Sequence, residues 1–276
     1  MSTVAPPRPS VDPRLRARRV AVAREAGRRR LHRLVVLGSA LGFLLVVAGI
    51  SRSPFIAVHH VDITGQQHTT EAELSTAIGS IHGQPIYSID TGAVRRRLEA
   101  LPWVASASVS RHWPQSVRIR IVERVPKAGA VGQDGLYRLV DGQGRVLAAV
   151  DRLPPDMVEL VGPEPAGAPG SAMSANASGA LAVAVALPPS LAGKVSQVEW
   201  MTDGQIRLGL NPYGRVLFGS PITIPEKLLA LDTMLRSVPP GTIGEIDVRA
   251  PEAPVMHEAD PSFARAAGSA ASTGGP

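Results

Sequence analysis

The longest uniform pattern is residues 34–50, LVVLGSALGFLLVVAGI, which no charge, amide or proline interrupts. At a helical rise of about 1.5 Å per residue this stretch spans about 25 Å, the short end of what a hydrocarbon core of about 30 Å requires. A core helix of a globular domain would carry a polar stripe; here polarity returns only at the flanking Arg33 and Arg52. The pattern predicts a transmembrane helix over 34–51. No Ala-x-Ala site follows it, which favours an uncleaved anchor over a signal peptide.

Beyond the anchor the period shortens. Ile56, Val58, Val61 and Ile63 predict a strand over 55–63, closed by Gly65. Thr70-Glu71-Ala72-Glu73 has capping-box spacing and starts a short helix that buries Leu74 and Ile78 and stops at Gly79. Asp90 can cap a second helix with an apolar stripe of Val94, Leu98 and Leu101, ended by Pro102. A strand over 103–111, the connection His112-Trp113-Pro114-Gln115-Ser116, and the alternation Val117-Arg118-Ile119-Arg120-Ile121 complete a β-α-α-β-β order. That order describes a three-stranded sheet backed by two helices. Pro114 fixes its turn, and the Trp113 indole is expected to cover the hairpin end as part of the core.

The second half alternates on a strand period. Residues 136–140 and 145–150 flank Asp141-Gly142-Gln143-Gly144 as a hairpin, and strands over 195–201 and 205–210 flank Asp203-Gly204. A Pro/Gly/Ala/Ser-rich loop over 162–179 leads into a short helix over 180–187, and another strand is expected over 215–218. Thr223-Ile224-Pro225-Glu226 reads as a second capping box, opening a helix whose Leu228, Leu231 and Leu235 would cover the sheet. Residues 243–249 are the last expected strand, and 252–276 reads as disordered. The fold class is α+β.

Charge then sets orientation. Ten arginines from Arg8 to Arg33 oppose only Asp12 and Glu25, a net +8 in a chain of net +6, so the basic character belongs to the tail. Arginine is retained on the cytoplasmic side of a span, which places the N-terminus inside and the rest outside. No aromatics interleave the tail arginines, so it reads as a topology determinant at the lipid surface and not as a nucleic-acid site. The chain has no cysteine, which excludes disulfides, thiolate catalysis and Cys-ligated zinc. The histidines lack ligand spacing beyond the adjacent His59 and His60, which point to opposite faces of an extended strand. G-x-S-x-G, H-E-x-x-H and S-x-x-K are absent, so neither catalytic residues nor a cofactor, metal or small-molecule substrate is expected. Glu123 and Arg124 read as a structural ion pair or as wet-face residues.

Several stretches in order carry a family resemblance: Val61-x-Ile63-x-Gly65, Gln84-Pro85-Ile86-Tyr87-Ser88-Ile89-Asp90, Leu101-Pro102-Trp103-Val104, Arg111-x-Trp113-Pro114 and Val122-Glu123-Arg124-x-Pro126. Together they resemble the POTRA domain of the FtsQ/DivIB family of bacterial cell-division proteins, with Gly65, Trp103, Arg111, Trp113, Pro114, Glu123 and Arg124 as its structural motif. The Ile246-Asp247-Val248-Arg249 run also resembles that family. The implied organisation is a basic disordered cytoplasmic tail (1–33), a transmembrane helix (34–51), a POTRA domain (55–125), an FtsQ-type β domain with a covering C-terminal helix (126–255) and a disordered tail (256–276).

The resemblance implies a non-enzymatic scaffold at the division septum, single-pass in the cell membrane, that binds FtsB/DivIC-like and FtsL-like partners and helps regulate septal peptidoglycan synthesis. The alternatives are a POTRA-bearing accessory of protein transport or secretion and, further off, a cell-wall enzyme. The partner site is expected on the final strand, with Ile246 and Val248 on one face and Glu245, Asp247 and Arg249 on the other, followed by Val255. Pro251 and Pro254 would end pairing there and leave an edge to which a partner segment can add. The resemblance places the FtsB-like partner in the same region. The plainer reading is an ordinary protected edge.

Overall fold

The computed structural model describes residues 32–47, 49, 57–212, 214–238 and 243–258. Among these residues no helix is long and apolar enough to cross a membrane. Residues 32–47 and 49 are helical; positions 48, 50 and 51 of the expected span, the tail through residue 31 and residues 259–276 lie outside the described residues. The chain divides into two compact units, one of Met1–Val61, Ile81–Ile89 and Arg111–Val117, the other of Asp62–Ser80, Asp90–Ser110 and Arg118–Pro276.

The expected β-α-α-β-β order is present as β1 (His60–Thr64), α1 (Glu71–Ile78), α2 (Thr91–Glu99), β2 (Val104–His112) and β3 (Ser116–Glu123), with sheet order β1-β3-β2. Thr70 caps α1 as expected: its hydroxyl accepts from the Glu73 amide at 3.3 Å, and Glu73 accepts from the Thr70 amide at 2.9 Å. Asp90 caps α2 by accepting from the Ala93 amide at 2.9 Å. The helices bury Leu74, Ala77, Ile78, Val94 and Leu98, and the strands bury Val104, Ala107, Ile119 and Ile121.

The remaining strands form one nine-stranded sheet: β4 (Pro126–Val131), β5 (Tyr137–Asp141), β6 (Val146–Val150), β7 (Val158–Val161), β8 (Val195–Trp200), β9 (Ile206–Leu210), β10 (Arg215–Gly219), β11 (Ile243–Asp247) and β12 (Val255–Glu258), in the order β12-β11-β10-β9-β8-β7-β4-β5-β6. β4–β7, β7–β8 and β10–β11 pair parallel and the other neighbours antiparallel. Helices α3 (Ser178–Ala186) and α4 (Ile224–Ser237) contribute Ala180, Leu181, Val183, Leu228 and Leu231 to the core that includes Val198, Trp200, Phe218 and Ile246.

Three expectations are corrected and two strands are added. First, β11 is not the last strand: β12 pairs along it, Asp247 opposite Val255 and Ile246 opposite Met256. Pro251 and Pro254 lie in the reversal between the two, where the Ala253 amide donates to the Ala250 carbonyl at 3.1 Å, so they turn the chain back and do not end pairing. Residues 256–258 therefore belong to the sheet. Second, Trp113 is 63% exposed: residues 111–114 are all exposed, and the indole has no apolar layer to enter. Third, Thr223 makes no capping box. It sits at φ 52°, where its hydroxyl donates to the Ile222 carbonyl at 2.7 Å and reaches no helix amide. The added strands are β4 and β7: Pro126, Gly129 and the alanines at 128 and 130 lack the β-branched signature of a strand, and β7 has only four residues.

The two threonines give a paired test. Thr70→Ala is expected to lower stability by about 1 kcal/mol, the usual worth of an N-cap, whereas Thr223→Gly, which relieves a β-branched residue at positive φ, should raise it by about 0.5–1 kcal/mol. Urea unfolding of the two variants beside the wild type measures both.

Candidate functional site

A dense polar arrangement lies at the end of β3. Gly65, at φ 96°, follows β1 and passes so close to β3 that an added Cβ would stand 2.0 Å from the Ile121 carbonyl oxygen. This close passage lets residues 67–69 fold over Glu123. The Glu123 carboxylate accepts from the amides of Gln67 at 2.9 Å, His68 at 3.0 Å and Thr69 at 2.9 Å, and from the Thr69 hydroxyl at 2.8 Å. Its second oxygen lies 2.9 Å from His68 Nδ1. The His68 ring stacks on Trp103, centroids 4.2 Å apart. Burial pushes the Glu123 carboxyl up, but the Gln67 and Thr69 amides and the His68 and Thr69 side chains outweigh it and bring it down to about 2.

Arg124 does not pair with its neighbour. Its backbone amide donates to the Trp103 carbonyl at 2.7 Å, and its Nε to the Val104 carbonyl at 3.1 Å. Its Nη1 meets Asp141 at 2.7 Å and the Gln143 side-chain oxygen at 2.9 Å. The side chains of Arg124 and Asp141 are 14% and 6% exposed, so this ion pair is largely desolvated. Asp141 also accepts from the amides of Gln143 and Arg145, which shapes the β5–β6 turn. Arg145 then reaches the Ala100 carbonyl, at the C-terminus of α2, with a 2.8 Å bond, a favourable place for a cation.

The motif residues thus divide. Gly65, Trp103, Glu123 and Arg124 gather in one unit around the loop 65–69 and the β5–β6 turn. Arg111, Trp113 and Pro114 lie in the other, where Arg111 donates to the Ile89 carbonyl at 2.7 Å. Sequence reasoning missed Asp141 and Arg145 as partners of this cluster; an Asp-Gly turn was visible, but a turn aspartate gives no sign of a remote guanidinium.

The candidate partner residues do not form one exposed surface. Ile246 and Val248 are fully buried in the helix-covered core. Glu245 lies 3.8 Å from Arg215. Arg249 grips Asp247 with Nη2 at 2.6 Å and Nε at 3.0 Å, which holds the Asp247 carboxyl below its ordinary range. Val255, on β12, is 51% exposed. Sequence reasoning also passed over Lys227, which is buried and donates to the carbonyls of Phe218 and Ser220 at 3.0 and 2.9 Å, so that the first turn of α4 is tied to the end of β10. Among the described residues no group of three or more His, Asp or Glu side chains is placed to hold a metal.

Comparison with known proteins then decides the family. A profile described as POTRA domain, FtsQ-type, matches residues 56–124, and one described as cell division protein FtsQ/DivIB, C-terminal, matches 130–249. The chain belongs to the FtsQ/DivIB family of cell division proteins. Among its relatives are the cell division protein FtsQ of Mycolicibacterium smegmatis, 32% identical over 80% of this chain and 62% of that protein, and FtsQ of Streptomyces bingchenggensis, 30% identical over 80% of this chain and 82% of that protein. The chain therefore spans less than two thirds of the mycolicibacterial relative. A solved structure of the major extracytoplasmic domain of DivIB from Geobacillus stearothermophilus, trans isomer, overlaps 42% of this chain and 98% of that chain at 16% identity and a TM-score of 0.31, too slight an overlap to argue from. The FtsQ-type POTRA domain and the FtsQ/DivIB C-terminal domain are thus both present, and Arg124, the last residue of the POTRA match, supplies the bonds to Asp141 and Gln143 of the second.

A pH profile tests the Glu123 clasp. Its folded value of about 2 lies below the ordinary 4.5, so its contribution is complete above about pH 4.5 and is lost as pH falls toward 2. Glu123→Gln is expected to lower stability at pH 7 by about 2–3 kcal/mol and to flatten the fall between pH 4.5 and 2, as measured by denaturant unfolding across that range.

Proposed function

We propose that this FtsQ/DivIB-family chain is a non-enzymatic scaffold of the bacterial divisome, single-pass in the cell membrane with its N-terminus cytoplasmic. Its segments are the tail 1–33, the span 34–51, a POTRA domain over 55–125 and a β domain from 126 that continues through β12. The arginine-rich tail supports the orientation. The exposure of Leu34, Leu37, Leu41, Phe43, Leu44 and Leu45 along the helical residues 32–47 supports the anchor, since an apolar surface on every side suits lipid and not water. FtsB/DivIC-like and FtsL-like proteins are the expected partners, and regulation of septal peptidoglycan synthesis is the expected output.

The single observation that carries the binding role is β12 at the end of a nine-stranded sheet, with one flank toward β11 and the other, among the described residues, without a neighbouring strand. Such a flank offers backbone amides and carbonyls to an added strand, and alternate side chains supply specificity. The docking residues then centre on β12 and Val255, with Glu245, Asp247 and Arg249 on the adjoining β11 and Ile246 and Val248 supporting both strands from the core side.

Val255→Asp is the cleanest probe. Val248→Pro would remove the Val248 bond to the Leu217 carbonyl and disturb the fold, and Arg249→Glu would set a second carboxylate against Asp247. With the full chain co-expressed with its FtsB-like and FtsL-like partners, Val255→Asp is expected to weaken capture at least about tenfold, roughly 1.4 kcal/mol, while circular dichroism stays unchanged. Undiminished capture would move the partner site off this edge.

A further inference from the structure

Residues 57–61 run between two segments that each expose an aromatic side chain. On one flank the Val58 amide donates to the Gln84 carbonyl and the Gly83 amide to the Val58 carbonyl, both at 2.9 Å, and Ala57 bridges Pro85. That segment continues into the turn Ile86–Ser88, whose Tyr87 is 49% exposed. On the other flank the amides of His59 and His60 donate to the Gln115 carbonyl at 2.9 and 3.3 Å, just past Trp113, itself 63% exposed. The Arg111 bond to the Ile89 carbonyl ties the two flanking segments together. His59, His60, His82, Arg111 and His112 are all exposed in the same unit.

Chain length limits how far this end can lie from the anchor. His59 is nine residues beyond Ile50, the last residue of the apolar stretch, and extended chain covers at most about 3.5 Å per residue, so about 30 Å separates them at most. Given the membrane-anchored reading above, on which this inference rests, His59, between the two aromatic-bearing segments, stays within that reach of the bilayer surface. Indole and phenol rings favour the headgroup level, where an apolar body and a polar tip are both satisfied. A guanidinium group suits anionic headgroups.

We propose that Tyr87 and Trp113 form an aromatic seat by which this end of the POTRA domain rests on the lipid headgroups of the outer leaflet. The seat holds this end of the domain against the membrane. Exposure of Trp113, which a core role does not explain, is what a lipid-facing anchor requires.

The absence of cysteine allows one nitroxide label per chain. The full chain is reconstituted in vesicles of phosphatidylcholine and phosphatidylglycerol with the label at His112→Cys or, separately, at Gly42→Cys. The His112 label is expected to be reached by oxygen in preference to a water-soluble nickel chelate. Adding Trp113→Ser or Tyr87→Ser, both at exposed positions, should lower that preference several-fold without altering circular dichroism. If the Gly42 label reports hydrocarbon while the His112 label reports water, the seat is overturned and Trp113 is left for a protein partner. A Gly42 label in water would overturn the anchored reading and the seat with it.

Discussion

The Glu123 carboxylate is the interaction on which the junction of this protein depends. A carboxylate with an 8% exposed side chain is costly unless its lone pairs are filled. Here three consecutive amides, a hydroxyl and an imidazole fill them. Satisfying those amides requires residues 67–69 to wrap the end of β3. The wrap requires the close passage at Gly65, and the imidazole is in turn held flat against Trp103. One charge thereby organises residues more than fifty positions away in sequence.

Arg124 sends the opposite charge the other way. With Glu123 held by the loop after β1, the adjacent guanidinium is committed to Val104, Asp141 and Gln143, and Asp141 in turn shapes the hairpin turn from which Arg145 reaches back to α2. Two neighbouring residues thus serve two domains. A flexible tether would let a POTRA domain and a β domain move independently; a desolvated ion pair with bridging backbone bonds resists that, because breaking either partner strands a buried charge.

Much of the fold was legible because its signals are local. Thr70 and Glu73 announce a helix start through their spacing, Asp203-Gly204 marks a turn between alternating runs, and the POTRA motifs recur in order. Where a signal depends on backbone state, sequence misled. Thr223 has capping-box spacing, but its positive φ turns the hydroxyl away from the helix. Pro251 and Pro254 look like terminators, yet they shape a reversal that admits β12. The candidate site was less legible, since it rests on long-range pairing. Glu123 and Arg124 are adjacent and opposite in charge, so pairing with each other was the natural expectation, and only the fold reveals that each is claimed from elsewhere. Trp113 was misjudged for a related reason: an indole in a hairpin connection has the composition of a core residue, and burial is decided by whether an apolar layer reaches that end.

The central claim is that Arg124 and Asp141 fasten the two domains as a coupled pair. A double-mutant cycle of Arg124→Ala and Asp141→Ala, read by urea unfolding, measures it most directly. The account predicts a coupling energy of about 1–3 kcal/mol, in the range for contacting, desolvated partners. Additivity of the two single effects to within about 0.5 kcal/mol would contradict it.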